Sequence, residues 1–331
     1  MLFFKVLKLL FFLMFLIGIN LEALDINKEL FVDMSKTYGY SIGQSHTLKT
    51  IKKKFPHLAL QVFVAQKEFD MSYKDSLENI DKLLSDKTNK AWAKIKSEMK
   101  QKVSQMLDPK SLTEKQSIDF INEVRLRAKG SIESPFIETL LMFHPSYQKS
   151  PEQELYNHFY QKYNSDGNPK AKGVNFSIQV PKSYKSAEAN RPNIVRKFIS
   201  SNGYSVESMI MVLVYNLPEK IDKLSKEDVE ALCSGVPEGS VLRECDRITL
   251  ENLPGIRQRF KSIQSRLDHN VTMETVQYMV FYNDKLISIQ GQVGSMDDEF
   301  SEEKLLKQFS KFKPVFDYVA NSLVIENLYL K

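Results

Sequence analysis

Residues that could bind an acidic group are concentrated in a polar stretch over 175–204. This stretch begins as an alternating strand, passes a proline and then becomes polar with a positive bias. Arg191 and Asn193 flank Pro192, whose ring restricts the backbone, and a guanidinium can form paired hydrogen bonds with a carboxylate. We therefore take Lys182, Arg191 and Asn193 as candidate partner-binding residues. The favoured alternative is that Arg191 pairs with an acid of this protein and ties the loop to a sheet.

A second group of basic residues lies in the sequence KTIKKKF, which contains Lys52, Lys53 and Lys54. Such a cluster could meet an anionic surface such as phospholipid headgroups or nucleic acid. The more common role of a run of this kind is a solvated helix face. Export of the chain, argued below, speaks against nucleic acid, so we expect a protein partner or an anionic membrane surface.

The two cysteines of the chain, Cys233 and Cys245, lie close together in the sequence. In an oxidising compartment two such cysteines are expected to form a disulfide, which would contribute about 3 kcal/mol of stability. Two free buried thiols are the alternative. A zinc site is not expected, because no histidine lies nearby and two ligands are too few.

The histidines and acidic residues show no spacing typical of catalysis. None of the five histidines forms a metalloprotease or paired-ligand motif, and the chain has neither a nucleophile elbow nor a phosphate-binding loop. The histidines are His46, His57, His144, His158 and His269. The sequence predicts no catalytic residue and no cofactor.

An acidic cluster precedes the last amphipathic stretch of the chain. Its members are Asp297, Asp298, Glu299, Glu302 and Glu303. They lack the spacing of a calcium loop, and acids before a helix stabilise its positive N-terminus. We therefore predict a helix start here and no metal site.

The first 23 residues resemble an export signal or an N-terminal anchor. Lys5 and Lys8 precede an uncharged apolar run that ends at Asn20. This run is short for a membrane span, which needs about 20 apolar residues, and it fits the apolar part of a signal peptide. Cleavage after Ala23 and retention as an uncleaved anchor both remain open. Either outcome predicts a periplasmic or secreted protein.

The residues that follow, 24–165, are predicted to form a helical domain. Apolar residues recur at helical spacing in three stripes, which is typical of a bundle core. The stripes are Phe69, Tyr73, Leu77, Ile80 and Leu84, then Trp92, Ile95, Met99, Val103 and Met106, then Ile118, Ile121, Val124 and Ala128. Ser111 or Thr113 would begin the third helix, and Gly130 would follow its end.

The period changes to that of strands in 174–331, and we place the domain boundary near Asn164 to Gly173. A nearly continuous apolar strand covers 208–215, and two strand-like runs flank Asn283 and Asp284 as a hairpin. A last helix should kink or restart at Pro314. The order of strands and helices predicts an α+β fold around a mainly antiparallel sheet.

This second part resembles the PsbP/DcrB-like superfamily. The resemblance rests on the Val180-Pro181 step, on Tyr184 in PKSY, on the sequence LENLPGIRQRF and on a closing helix that ends near the NSL of 321–323. It implies an αβα sandwich used as a non-catalytic binding or assembly module, without shared active-site residues. Fold likeness alone does not supply a function.

The function predicted from the sequence is that of an exported, non-enzymatic binding or assembly protein of the cell envelope that acts through protein–protein contacts. One alternative is an envelope enzyme with a site between domains that no linear motif reveals. The other is a membrane-surface module that works through Lys52, Lys53 and Lys54.

Overall fold

A computed structural model describes residues 28–88, 91–106, 109–132, 134–201, 206–266, 269–295 and 301–329. The predicted export segment, 1–23, lies outside these ranges. Contacts divide the chain into two compact units, Met1–Gln148 and Lys149–Lys331. The division predicted from the sequence, 24–165 and 174–331, stays a prediction about which parts fold independently.

The first unit is built from helices, as the apolar stripes predict. The helices are α1 (Lys28–Lys54), α2 (Ala59–Thr88), α3 (Ala91–Met106), α4 (Glu114–Ala128) and α5 (Pro135–Met142). α2 contacts the other four helices, and the buried faces of α2 and α3 carry most of the predicted stripe residues. Thr113 begins α4 with a reciprocal cap to Gln116, and Gly130 follows the helix with a positive φ of 64°.

One charged side chain lies inside this bundle. The guanidinium of Arg127, on α4, pairs with Glu123, donates to Gln44 Oε1 at 3.2 Å and lies 5.0 Å from the ring centroid of Tyr40. Arg127 is only 3% exposed. A buried charge needs such partners, because transfer out of water is costly without them. Arg127 therefore has a structural role that its sequence position does not reveal.

A short helix, α6 (Pro145–Lys149), crosses the division with four of its five residues in the first unit, and the described part of the second unit contains two antiparallel sheets and three α-helices. The three helices of the second unit are α7 (Glu152–Tyr156), α8 (Lys226–Ser234) and α9 (Glu302–Asn321). The strands are β1 (Tyr160–Asn164), β2 (Phe176–Pro181), β3 (Lys185–Ala187), β4 (Ile194–Ser201), β5 (Val206–Asn216), β6 (Val241–Leu250), β7 (Leu253–Arg266), β8 (His269–Tyr282), β9 (Lys285–Ser295) and β10 (Val324–Ile325). Their order is β1-β2-β10 in the small sheet and β3-β4-β5-β9-β8-β7-β6 in the large one.

Two local expectations differ from the structure. Pro151 suits the first position of a helix, and the sequence therefore allows a helix over 152–163. In the structure α7 ends at Tyr156 and β1 begins at Tyr160, because 160–164 pairs with β2. The sequence also predicted a kink or restart at Pro314, but α9 continues through it as one helix. Buried Phe312, Val315 and Phe316 pack on the sheet on both sides of the proline and hold the helix in place.

The large sheet has a helix on each face. α9 packs on one face, where a Cβ added to Gly291 would lie 2.2 Å from Cγ of Phe316. On the other face, α8 and the residues before it pack against Ile256, Met279 and Phe281. The predicted αβα arrangement around an antiparallel sheet is therefore confirmed. The predicted β8–β9 hairpin is also present, and Asn283 takes a positive φ of 52° in its turn.

Candidate binding surfaces

The loop that follows β2 is held at its start by a buried carboxylate. Glu154 accepts a hydrogen bond from Ser183 N at 2.7 Å and another from Ser183 Oγ at 2.6 Å. Glu154 is 3% exposed, and burial raises the pKa of its carboxyl to about 7 although hydrogen bonds from Ser183 and Lys182 oppose the rise. Lys182 N donates to the carbonyl of Phe159 at 3.1 Å. The backbone at Lys182 is therefore part of the framework.

The later part of the same loop, 186–189, is held in place by contacts with Arg196 and Lys170 and not by Arg191. Arg196 pairs with Glu188 and donates to Ser186 Oγ at 2.6 Å. Lys170 donates to the carbonyl of Ala189. These contacts fasten the loop to β4 and to the segment before β2.

Asn193 and Arg191 differ in their surroundings. Oδ1 of Asn193 accepts a hydrogen bond from Lys172 Nζ at 2.8 Å, and the carbonyl of Asn193 accepts from Val214 N at 2.9 Å. Arg191, by contrast, is exposed and makes neither an ion pair nor a side-chain hydrogen bond within the described ranges. Glu188, just past the end of β3, pairs with Arg196 and not with Arg191. The expected pairing of Arg191 with an acid of this protein therefore stays a prediction.

Arg191 lies beside a partly exposed strip of the large sheet. Its positive charge acts on Tyr215, whose pKa is raised by burial and lowered in part by Arg191. Met211 and Tyr215 pack against a small apolar cluster of Ala189, Ile194 and Leu213. Lys197 on β4 lies directly opposite Met211 on β5 in the strand register. We name Arg191, Lys197, Met211 and Tyr215 the Arg191 surface. It combines two cations with an aromatic ring and a thioether.

Sequence reasoning found Arg191 but missed the other members of this surface. Met211 and Tyr215 lie on β5, which reads as a nearly continuous apolar run. Alternation along β5 places Met211, Leu213 and Tyr215 on one face, but such a run does not indicate which face stays accessible.

The three lysines of the basic cluster do not act alike. Lys54 Nζ donates to the carbonyls of Pro109, Lys110 and Leu112 at 2.6, 3.1 and 2.8 Å. It therefore fastens the end of α1 to the turn before α4. Lys52 and Lys53 are exposed and have no ion pair in the part of the chain that the structure describes.

A network of charges covers the β6 side of the large sheet. Glu274 is fully buried and accepts from Arg259 Nε at 2.7 Å, while Arg259 also reaches Glu244 at 2.9 Å. Glu302, from the predicted acidic cluster, pairs with Arg243 and with Lys261. These interactions with basic side chains lower the pKa of Glu302. Glu244, Glu274 and Glu302 each lie within 4.0 Å of two cations of the protein.

The acidic cluster also marks the predicted helix start. α9 begins at Glu302 after the cap Ser301, whose hydroxyl accepts from Lys304 N at 3.3 Å. Asp297, Asp298 and Glu299 lie outside the described residues. No group of three or more His, Cys, Asp or Glu residues in the described ranges could hold a metal ion.

A cleft of about 280 Å³ lies between α1 and α2 in the first unit. Asp81 lies at its end and accepts from Trp92 Nε1 at 2.7 Å and from Lys96 Nζ at 2.9 Å. Those two contacts, with Tyr38, lower the pKa of Asp81 against the opposing effect of burial. Burial and Asp81 raise the pKa of Tyr38 to about 12. The polar groups at this end of the cleft are engaged with one another.

A disulfide joins Cys233 and Cys245, with their Cα atoms 5.8 Å apart. It connects the last turn of α8 to β6 at the edge of the large sheet. Within the described ranges, no helix is both long enough and apolar enough to cross a membrane.

Comparisons with known proteins find matches among solved structures. No protein-family model matches the chain, and no curated protein matches it. The cyanobacterial PsbP of Synechocystis matches at 11% identity with a TM-score of 0.32, covering 50% of this chain and 92% of its own. The Ran-binding protein Mog1p of Saccharomyces cerevisiae matches at 12% identity with a TM-score of 0.34, covering 50% and 95%.

LpqN of Mycobacterium tuberculosis, described as involved in cell envelope biogenesis, matches at 12% identity with a TM-score of 0.31, covering 53% of this chain and 95% of its own. The matches include a PsbP structure, the family that the sequence resembles, and each covers about half of the chain. The fold class rests on the strand order and on the helices packed on the two sheet faces.

Proposed function

We propose that this chain is an exported, non-enzymatic binding or assembly protein of the cell envelope, periplasmic or secreted, and that its second unit binds an acidic segment of a protein partner at the Arg191 surface. The observation that carries the proposal is the exposed guanidinium of Arg191, which has no partner within the described ranges. The cations around it, Lys170, Lys172 and Arg196, are all engaged with groups of the protein itself.

The composition of the Arg191 surface supports a protein partner. Arginine, tyrosine and methionine are enriched at protein interfaces, and arginine binds carboxylates through two parallel hydrogen bonds. Lys197 adds a second positive charge, and it too has no ion pair within the described ranges. An acidic segment would satisfy both cations while its apolar atoms covered Met211 and Tyr215.

The disulfide supports export, because disulfides persist in oxidising compartments outside the cytosol. The strongly shifted ionisable groups support a binding role over an enzymatic one. Glu154 is held by Ser183, and the hydroxyl of buried Tyr278 donates to Asp317. Both groups are enclosed by the fold and bonded within it, which does not suit a general acid or base that must reach a substrate.

The proposal is tested by affinity purification of the tagged chain from its native envelope after mild crosslinking. Arg191→Glu should lose the partner while the free energy of unfolding stays within about 0.5 kcal/mol of the parent, as for other exposed substitutions. Lys307→Glu is the matched control, because Lys307 is an exposed lysine on α9 without an ion pair within the described ranges. Equal partner recovery from the parent and Arg191→Glu would contradict the proposal.

A further inference from the structure

The first unit carries an exposed apolar stripe on α2 that neither the bundle core nor the Arg191 surface explains. Leu60, Phe63 and Met71 are 72%, 56% and 86% exposed. At 3.6 residues per turn, positions 60, 63, 67 and 71 lie on one side of a helix over about 17 Å. We name Leu60, Phe63, Lys67 and Met71 the α2 stripe. Exposed large apolar side chains grouped in this way typically mark an interaction site.

The charge around the α2 stripe is positive. From Lys49 to Lys67 the chain contains five lysines and neither aspartate nor glutamate. Lys67 Nζ lies 5.8 Å from the ring centroid of Phe63, so the ammonium of this exposed lysine lies over the aromatic ring of the stripe. Lys52 and Lys53 are exposed at the end of α1, just before the turn that leads into α2.

The stripe has a defined end on each side. Pro56 begins a short 3-10 turn immediately before α2, and His57 in that turn contacts Glu114 at 2.8 Å. Toward the C-terminus, Lys74 lies 3.6 Å from Glu78, so the basic character stops there. Two acids also lie in the first four turns of α2: Glu68 pairs with Arg125 at 2.9 Å, and Asp70 accepts a hydrogen bond from Gln66 at 2.6 Å. The exposed apolar side chains and the lysines beside them are therefore confined to these four turns.

The shape of the α2 stripe favours a lipid surface over a folded partner. A protein partner would need an apolar groove matched to these side chains, with acidic groups beside it for the lysines. The boundary between headgroups and acyl chains accepts protruding apolar groups without such a groove, and anionic lipids attract the lysines beside them. Lysines beside exposed leucine, phenylalanine and methionine are typical of helices that lie in this boundary.

We propose that the first four turns of α2 bind an anionic phospholipid surface, with Leu60, Phe63 and Met71 in the boundary of the acyl chains and Lys52, Lys53 and Lys67 against the headgroups. This differs from an interaction of the Lys52–Lys54 cluster alone. Lys54 is held by three backbone carbonyls, and the apolar residues supply the contact that is insensitive to salt. The site lies in the first unit and is independent of the Arg191 surface.

The proposal is tested by sedimentation of the full chain with vesicles of phosphatidylglycerol or of phosphatidylcholine. We expect stronger binding to phosphatidylglycerol, weakening as salt is raised. The double variant Phe63→Ser, Met71→Ser and the single variant Lys67→Glu should each bind phosphatidylglycerol about tenfold more weakly. The control is Val241→Ser, Leu242→Ser, which removes two exposed apolar side chains of the second unit and should leave binding unchanged.

A second measurement separates α2 from residues 1–23, which are common to all variants and apolar themselves. A tryptophan at position 71 (Met71→Trp) should be quenched by phosphatidylglycerol brominated on its acyl chains, whereas Ser97→Trp, at an exposed site on α3, should not. The native Trp92 is 1% exposed and gives a constant background that also reports folding.

Three results would overturn the proposal. The first is equal quenching at positions 71 and 97, and the second is equal vesicle binding by the parent and the double variant. The third is concentration-dependent self-association of the parent that the double variant lacks, since this would assign the stripe to a second copy of the chain.

Discussion

The buried carboxyl of Glu154 predicts a specific dependence of stability on pH. Burial raises its folded pKa from 4.5 to about 7, so the folded state holds a proton that the unfolded chain releases between these values. A raised folded pKa contributes stability that is complete below about 4.5 and is lost as the pH rises to about 7. Because the side chain is 3% exposed, solvent screening does not reduce this contribution.

The size of the effect follows from the difference between the two pKa values. It corresponds to roughly 3 kcal/mol of unfolding free energy lost across that window. Glu154→Gln keeps the shape of the side chain and its acceptor for Ser183 N but removes the titration. We expect the variant to be about as stable as the parent near pH 4.5 and more stable than the parent near pH 8.

The assay is urea denaturation of the full chain at a series of pH values, with amide exchange of β2 and of the residues around Ser183 as the local signal for the second unit. Emission of Trp92 reports the first unit and should show no dependence on residue 154. The reasoning would be refuted if the difference in unfolding free energy between the parent and Glu154→Gln, measured at Ser183, stayed constant from pH 4.5 to 8.

Three further predictions concern stability. Gly291→Ala should destabilise the second unit by about 1–3 kcal/mol, because the new Cβ would overlap the ring of Phe316 on α9. Gly43→Ala, which adds a Cβ in open space within α1, should stabilise the first unit by roughly 1 kcal/mol. Thermal unfolding compares the two variants, and equal shifts in melting temperature would contradict the packing argument. Lys54→Met should lower the urea midpoint seen by tryptophan emission by an amount equivalent to about 1–3 kcal/mol, since three carbonyls lose a charged donor. Reduction of the Cys233–Cys245 disulfide should lower the free energy of unfolding of the second unit by about 3 kcal/mol, measured by amide exchange in its strands, and a reduced chain of unchanged stability would contradict this.

The sequence predicted the large features of the fold because these depend on periodicity and on turn chemistry. Helical spacing of Trp92, Ile95 and Met99 placed α3, and all three side chains are buried. Asn283 followed by Asp284 placed the β8–β9 hairpin. These signals are local, so a single chain displays them without knowledge of its tertiary contacts.

The sequence could not predict the ion pairs and hydrogen bonds of the candidate residues, because these depend on which segments lie next to each other in the fold. Glu188, just past β3, pairs with Arg196 of β4, and no described carboxylate pairs with Arg191. Nothing near Arg191 in the sequence distinguishes these two arginines. In the same way, Lys54 donates to carbonyls more than fifty residues away in the sequence. Lys52, Lys53 and Lys54 are all exposed, and only the folded bundle shows that the ammonium of Lys54 is bound by these carbonyls.

The most direct test of the proposed partner site is crosslinking from the Arg191 surface itself. A photoreactive residue at position 211, next to Lys197 on the large sheet, should form an adduct with a protein partner in the native envelope. The same residue at position 324, exposed on the small sheet, should not. Arg191→Glu should abolish the adduct at position 211 without changing the free energy of unfolding by more than about 0.5 kcal/mol. Identical adducts from positions 211 and 324, or an adduct at 211 that Arg191→Glu leaves unchanged, would contradict the account.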